Sequence, residues 1–210
     1  MSNHNLKMTF RPVPVAGAPD FNGTAVPKSI DDLGEALKSK VGSTVVKSIE
    51  KAHAGDPFLL VDPTKILDVL SFLRDDQKFL CTLLQVIAAT DYLPIKAAPA
   101  VKDESGQEAS PAVKAREGFI EVAYFLWSFQ HRHQFTVKVQ LERGSPKVQS
   151  ACDLFRAANW YERECYDLLG VVFEGHPNLE RILLSPDWVG HPLRRDYVFP
   201  EEYNGMKVPL

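Results

Sequence analysis

Two neighbouring runs decide the fold: Phe119-Ile120-Glu121-Val122-Ala123-Tyr124-Phe125-Leu126-Trp127-Ser128-Phe129 and Phe135-Thr136-Val137-Lys138-Val139-Gln140-Leu141-Glu142. The first is apolar at both odd and even positions, the pattern of a strand covered on two faces. The second alternates strictly, which exposes one face and buries the other. Together they predict an antiparallel hairpin at the centre of a sheet. The turn between them carries His131-Arg132-His133. Two imidazoles so placed suggest a metal pair, but with no third donor nearby the reading taken is a solvated turn and no metal.

Upstream, Phe58-Leu59-Leu60-Val61 follows Gly55-Asp56-Pro57 as a compact buried strand, and Pro63 stands where a helix can begin. Ile66, Leu67, Leu70 and Leu73 give that helix its apolar face. Ser29 precedes Ile30, Leu33 and Leu37 at helical spacing, with Asp31 and Asp32 in the first turn and Gly42 near the end. The stretch from Phe79 to Tyr92 is apolar without period, so strand and helix both remain open. Residues 1–27, rich in Pro and Gly, predict a flexible leader, and residues 96–117 a mobile surface excursion. The expected class is α+β: one mixed sheet packed with helices over residues 28–170, then an extended, largely irregular tail over 171–210.

Composition narrows the function. The chain has 210 residues, 45% hydrophobic and 24% charged, the usage of a folded domain, and a formal net charge of -3, which offers nothing to a phosphate backbone. Nucleic acid is therefore set aside. Cys81, Cys152 and Cys165 show no paired spacing, so they read as buried thiols in a reducing compartment. No segment has the length and apolarity of a membrane span, which predicts a soluble, cytoplasmic chain.

Between Cys152 and Gly170, Leu154, Ala158, Tyr161, Cys165 and Leu168 fall on one helical stripe. Arg156, Trp160, Arg163 and Asp167 fall opposite, where an indole among charges suggests a partner. The plainer alternative is a solvated face with Arg163 and Asp167 as an i,i+4 pair. Gly170 is expected to end the helix in the left-handed conformation. Beyond it, Pro177, Pro186, Pro192 and Pro200 break any regular element, yet Val171, Val172, Phe173, Trp188, Leu193, Tyr197, Val198 and Phe199 are too apolar for a solvated tail. Such a segment folds back over its own domain or lies along another protein, and the second is the expectation. The repeated Gly-His-Pro, with Glu162, Glu164 and Asp167 upstream, suggests metal or acid–base chemistry, but a His before Pro serves equally as a rigid hydrogen-bonding corner, which is the reading taken. No nucleophile stands beside a base and no phosphate-cradling Gly loop is present.

The order and spacing of Trp160-Tyr161-Glu162-Arg163-Glu164, Asp167-Leu168-Leu169-Gly170, Phe173, Gly175-His176-Pro177, Ile182-Leu183 and Gly190-His191-Pro192-Leu193-Arg194-Arg195-Asp196-Tyr197 closely resemble the 30-kilodalton subunit family of respiratory complex I, the C-type subunit of the bacterial enzyme. The resemblance is dense from Ala151 to Tyr203. Upstream it is looser, through Asp56-Pro57-Phe58 and Ala89-Thr90-Asp91-Tyr92. It implies a non-catalytic structural subunit in the peripheral arm of a proton-translocating NADH:quinone oxidoreductase, at the cytoplasmic face of the cell inner membrane. It also implies no cofactor in this chain, the FMN and iron–sulfur clusters residing in partner subunits, and no small-molecule substrate of its own. The tail would wrap the 49-kilodalton-type (D-type) neighbour, beside the cluster-bearing (B-type) one. Expected partner contacts are Arg156, Trp160, Glu162, Arg163, Glu164 and Asp167 on the helix, and His176, Arg181, Trp188, His191, Arg194, Arg195, Asp196 and Tyr197 in the tail. One departure is Glu180, where the family usually has a basic residue, although Arg181 follows. The rival readings are the equivalent subunit of a membrane-bound nickel–iron hydrogenase or formate hydrogenlyase complex, and a free-standing metal-dependent hydrolase using His176, His191 and Glu164.

Overall fold

The computed structural model describes residues 29–51, 56–97, 101–102, 108–110 and 114–208. The leader and part of the 96–117 excursion lie outside the described residues. In chain order the elements are α1 Ile30–Lys40, β1 Val46–Glu50, β2 Phe58–Val61, a 3-10 turn Pro63–Lys65, α2 Ile66–Asp75, β3 Leu83–Tyr92, β4 Val101–Lys102 and β5 Glu108–Ser110. There follow β6 Phe119–Ser128, β7 His133–Glu142, β8 Lys147–Gln149, α3 Ala158–Leu169, β9 Val172–Glu174, β10 Glu202–Tyr203 and β11 Met206–Lys207.

The β6–β7 hairpin forms as expected, antiparallel from Phe119↔Glu142 to Ser128↔His133. It sits in a five-stranded mixed sheet of order β1-β2-β7-β6-β3, in which only β2 and β7 run parallel. Ile120, Val122, Tyr124 and Leu126 of β6 are fully buried, and Ala123 and Glu121 nearly so, which is why no alternation shows in that run. In β7, Phe135, Val137, Val139 and Leu141 turn inward. Lys138, on the other face, pairs with Glu121 at 2.8 Å and lies 3.9 Å from the centre of the Phe58 ring, so its stem and charge are both used.

Ser29 caps α1 in a reciprocal capping box with Asp32, each backbone N–H donating to the other's side chain at 3.1 Å. Leu33 and Leu37 drive the helix onto the sheet at full burial. The ambiguous stretch from Phe79 resolves into a bend that tucks Phe79 and Cys81 into the core, followed by strand β3 along β6. Strand β1 has no period-two signature because its register shifts between Val46 and Ser48, and a bulge moves the apolar positions out of phase.

The His131-Arg132-His133 turn is not solvated throughout. His133 is 5% exposed and its Nε2 bonds the Phe79 carbonyl at 3.1 Å, while His131 Nε2 bonds that of Gln77 at 2.9 Å. The two imidazoles stitch the hairpin turn to the loop before β3. Finally, β9 pairs in parallel with β8, so Val171 and Phe173 are buried in this chain's own core, where the sequence reading has them docking elsewhere.

Candidate docking surface built on helix α3 and the tail

Helix α3 starts at Ala158; residues 152–157 form turns instead of its first turns. Its C-cap, Gly170, has φ 74° and ψ 29°, the left-handed conformation expected. Space demands glycine as well. A Cβ there would lie 2.5 Å from His191 Nε2 and 2.7 Å from an Arg194 guanidinium nitrogen. The tail is that close because it caps the helix. His191 Nδ1 donates to the Asp167 carbonyl at 2.9 Å, the Leu193 amide to that of Leu168 at 3.0 Å, and Arg194 Nε to that of Leu169 at 2.8 Å. Carbonyls that a helix end leaves unpaired are thus taken by the tail, an arginine among the donors, at the negative end of the helix dipole.

Asp167 fastens the next part of the tail. Oδ1 accepts from Arg181 Nη1 at 2.8 Å, and Oδ2 accepts from the amides of Ile182, Leu183 and Leu184 at 3.1, 2.8 and 2.9 Å. Burial alone would raise its pKa, but the Leu184, Leu183 and Ile182 amides and Arg181 outweigh burial and hold it below the usual carboxylate range. Arg181 also donates to the carbonyls of Asp167, Trp188 and Gly190. The helical-wheel expectation for Asp167 is therefore corrected: it is 0% exposed although Trp160, on the same face, is 60% exposed. The helix does have an outward face, but the tail crosses its last turn and covers it.

A third fastening lies further along. Arg143 grips Asp91 in bidentate fashion, Nε and Nη2 at 2.6 and 2.9 Å, and reaches Asp196 at 2.5 and 3.0 Å. The Arg195 amide completes the Asp91 shell at 2.9 Å. Asp91 and Asp196 both sit below their ordinary pKa, chiefly because of Arg143. Sequence reasoning named Asp196 and missed Asp91 and Arg143 as site residues. The Ala89-Thr90-Asp91-Tyr92 match pointed at Asp91; nothing local marks Arg143.

At the root of the tail, Glu162 is 0% exposed, so it offers this chain's surface no contact, contrary to expectation. Its carboxylate accepts from the Ser150 hydroxyl at 2.6 Å, the Ala151 amide at 2.7 Å and the Cys152 thiol at 3.4 Å, and burial raises its pKa to about 7. His176 Nε2 donates to the Asn159 carbonyl at 3.2 Å and Nδ1 accepts from the Asn178 amide at 3.0 Å; burial holds its pKa down. Both Gly-His-Pro imidazoles thus act as corners. Among the described residues the cluster able to hold a metal is Cys152, Glu162 and His176, and it includes neither His191 nor Glu164. The three groups named for a hydrolase do not meet.

Several large apolar side chains stay exposed. Trp160, Leu183, Val189, Leu193, Val198 and Met206 are exposed by 58 to 84%, and Phe199 by 42%. Arg156 and Glu164 are exposed on or just before α3. Arg163 lies over the Trp160 ring at 5.3 Å and donates to the carbonyls of Glu180 and Arg181 at 3.1 and 3.3 Å, so position 180 is held by its backbone whatever its side chain. Trp188 packs on Tyr203 at 4.9 Å and Tyr197 on Phe199 at 5.0 Å, tail upon tail. Polar fastenings lay the tail over its own domain, while Leu183, Val189, Leu193 and Val198 stay exposed.

Fold and site together define an α+β domain whose C-terminal segment is strapped to it and presents an apolar, aromatic surface. Residues 59–203 match the family model of the respiratory-chain NADH dehydrogenase 30 Kd subunit. A C-type subunit of the NADH-quinone oxidoreductase of Roseiflexus sp. is 36% identical over 77% of this chain and 80% of its own length. Its counterpart in Roseiflexus castenholzii is 39% identical over 68% of this chain and 70% of its own, and that of Coxiella burnetii 36% identical over 78% and 77%. The chain belongs to the 30 Kd subunit family of respiratory-chain NADH dehydrogenase. Two solved structures share the fold. One is described as the trypsin-resistant fragment of Nqo5 (TM-score 0.50, 24% identity, 71% of this chain and 98% of that one). The other belongs to the membrane-bound sulfane sulfur reductase, an archaeal respiratory membrane complex (TM-score 0.51, 21% identity, 80% and 85%).

Proposed function

We propose that this chain is a non-catalytic subunit of the peripheral arm of a NADH:quinone oxidoreductase and that it serves by positioning its neighbours. The observation that carries this reading is the division of labour in the tail. Arg181, His191, Arg194 and Asp196 are committed to internal fastenings, while Val189 and Val198, each 84% exposed, face outward with Leu193 and Met206. An apolar surface held in fixed shape by polar bonds loses little conformational freedom on docking, which favours a permanent contact. The 49-kilodalton-type and cluster-bearing subunits are the partners this surface is proposed to meet, FMN and clusters being carried by partner subunits. No described helix is long and apolar enough to cross a membrane, so attachment to the membrane would run through the complex.

The test replaces Val189 and Val198 by Asp together in the full chain, expressed with the other subunits. The double variant should keep the circular dichroism and thermal midpoint of the wild type, because exposed substitutions shift stability by no more than about 0.5 kcal/mol each. It should also fail to co-purify with the remaining subunits. Normal recovery in the assembled complex would remove the proposed surface from contention.

A further inference from the structure

Three metal-ligating side chains meet beneath the root of the tail, with the Cys152 thiol, a Glu162 carboxylate oxygen and a His176 ring nitrogen all within 4.8 Å of one another. They come from three places in the chain: the turn before α3, the helix itself, and the corner after β9. We propose that Cys152, Glu162 and His176 form a site for a thiophilic divalent cation of the zinc class, which clamps the root of the tail to α3.

The donor set selects the ion. Thiolate, imidazole and carboxylate is a combination zinc accepts, whereas magnesium and calcium take oxygen ligands throughout. Geometry agrees. Metal–sulfur and metal–oxygen arms of about 2.3 and 2.0 Å, opened to the tetrahedral angle, separate the two ligand atoms by about 3.5 Å. Cys152 Sγ and Glu162 Oε2 stand 3.4 Å apart.

Charge agrees as well. Glu162 is fully buried, and its three partners, Ser150, Ala151 and Cys152, are neutral. A divalent ion between one thiolate and one carboxylate sums to zero charge, which relieves the cost of burying a carboxylate by itself. The fully buried Tyr124 hydroxyl has no hydrogen-bond partner among the described residues. The centre of this domain thus holds polar atoms that a well-packed apolar core would not.

On binding, the Cys152 thiol gives its proton to solvent as its sulfur bonds the metal, and one ring nitrogen of His176 exchanges a backbone hydrogen bond for the ion. Nothing is oxidised or reduced. His176 can make the approach: it is half-buried, and it follows Gly175, which has φ 82° and open space where a Cβ would sit. Water or the Ser150 hydroxyl fills the fourth position. This inference stands apart from the assembly reading, since it concerns one chain alone.

The test strips the full-length chain with a chelator and titrates it with Co²⁺ as a spectroscopic probe, followed by Zn²⁺. One Co²⁺ per chain should bind, with a near-ultraviolet sulfur-to-cobalt charge-transfer band and visible bands of tetrahedral intensity, and one equivalent of Zn²⁺ should abolish both. Cys152→Ser should remove the charge-transfer band, Cys165→Ala should keep it, and His176→Gln should weaken binding by roughly tenfold or more. A wild-type chain with no charge-transfer band overturns the site without recourse to any variant, and a band that survives in Cys152→Ser does the same.

Discussion

Arg181 Nη1 stands 2.8 Å from Asp167 Oδ1, joining the start of the tail to the last turn of α3 through a carboxylate that is 0% exposed. Removing one partner of a buried pair leaves the other charge desolvated and uncompensated, and here three backbone amides lose their acceptor too. Asp167→Ala should therefore destabilise the chain by about 3 kcal/mol, read as a fall in the urea midpoint. A shift under about 0.5 kcal/mol would show the pair to be dispensable.

Gly170 and Gly175 separate backbone conformation from crowding. Both have positive φ, 74° and 82°, but a Cβ at Gly170 meets His191 and Arg194 while one at Gly175 meets nothing within 4 Å. Gly175→Ala should cost about 1 kcal/mol, the penalty of the left-handed conformation alone. Gly170→Ala should cost clearly more, because the tail must lift off the helix end to admit the methyl group. Equal thermal midpoints for the two variants would contradict the close approach.

Acid should weaken the fastenings. A carboxylate with a lowered folded pKa adds stability above its unfolded value, which is 3.8 for Asp167, and that contribution disappears as pH falls through the folded value. The difference in urea midpoint between wild type and Asp167→Asn should thus be constant above about pH 5 and shrink steadily below about pH 4. A difference that stayed level down to about pH 3 would mean that folding does not lower the pKa of Asp167.

Arg163 is seen in the sequence as a contact for a partner, and the structure gives it work within the chain. Its guanidinium holds the carbonyls of Glu180 and Arg181 and lies over Trp160. Arg163→Ala should speed hydrogen exchange in residues 179–184 while the five-stranded sheet stays protected, with a global cost of about 1 kcal/mol. Unchanged exchange in that segment would return Arg163 to the partner surface.

The sequence by itself determined what is local. The β6–β7 hairpin, the Ser29 cap and the left-handed Gly170 follow from alternation, from a side chain beside its own backbone, and from the steric freedom of one residue. The dense motif from Trp160 to Tyr197 likewise placed the chain in its family. Strand β1 escaped because a bulge erased its period, and the outward reading of Asp167 failed because a helical wheel knows nothing of a tail crossing the last turn. Tertiary structure alone brought Arg143 to Asp91 and Asp196, and Cys152 to Glu162 and His176, across separations that no periodic pattern spans. A tail broken by proline meets only part of its hydrogen bonding within itself, so where the rest of its polar groups bond is decided by which fixed donors and acceptors the folded domain sets within about 3 Å.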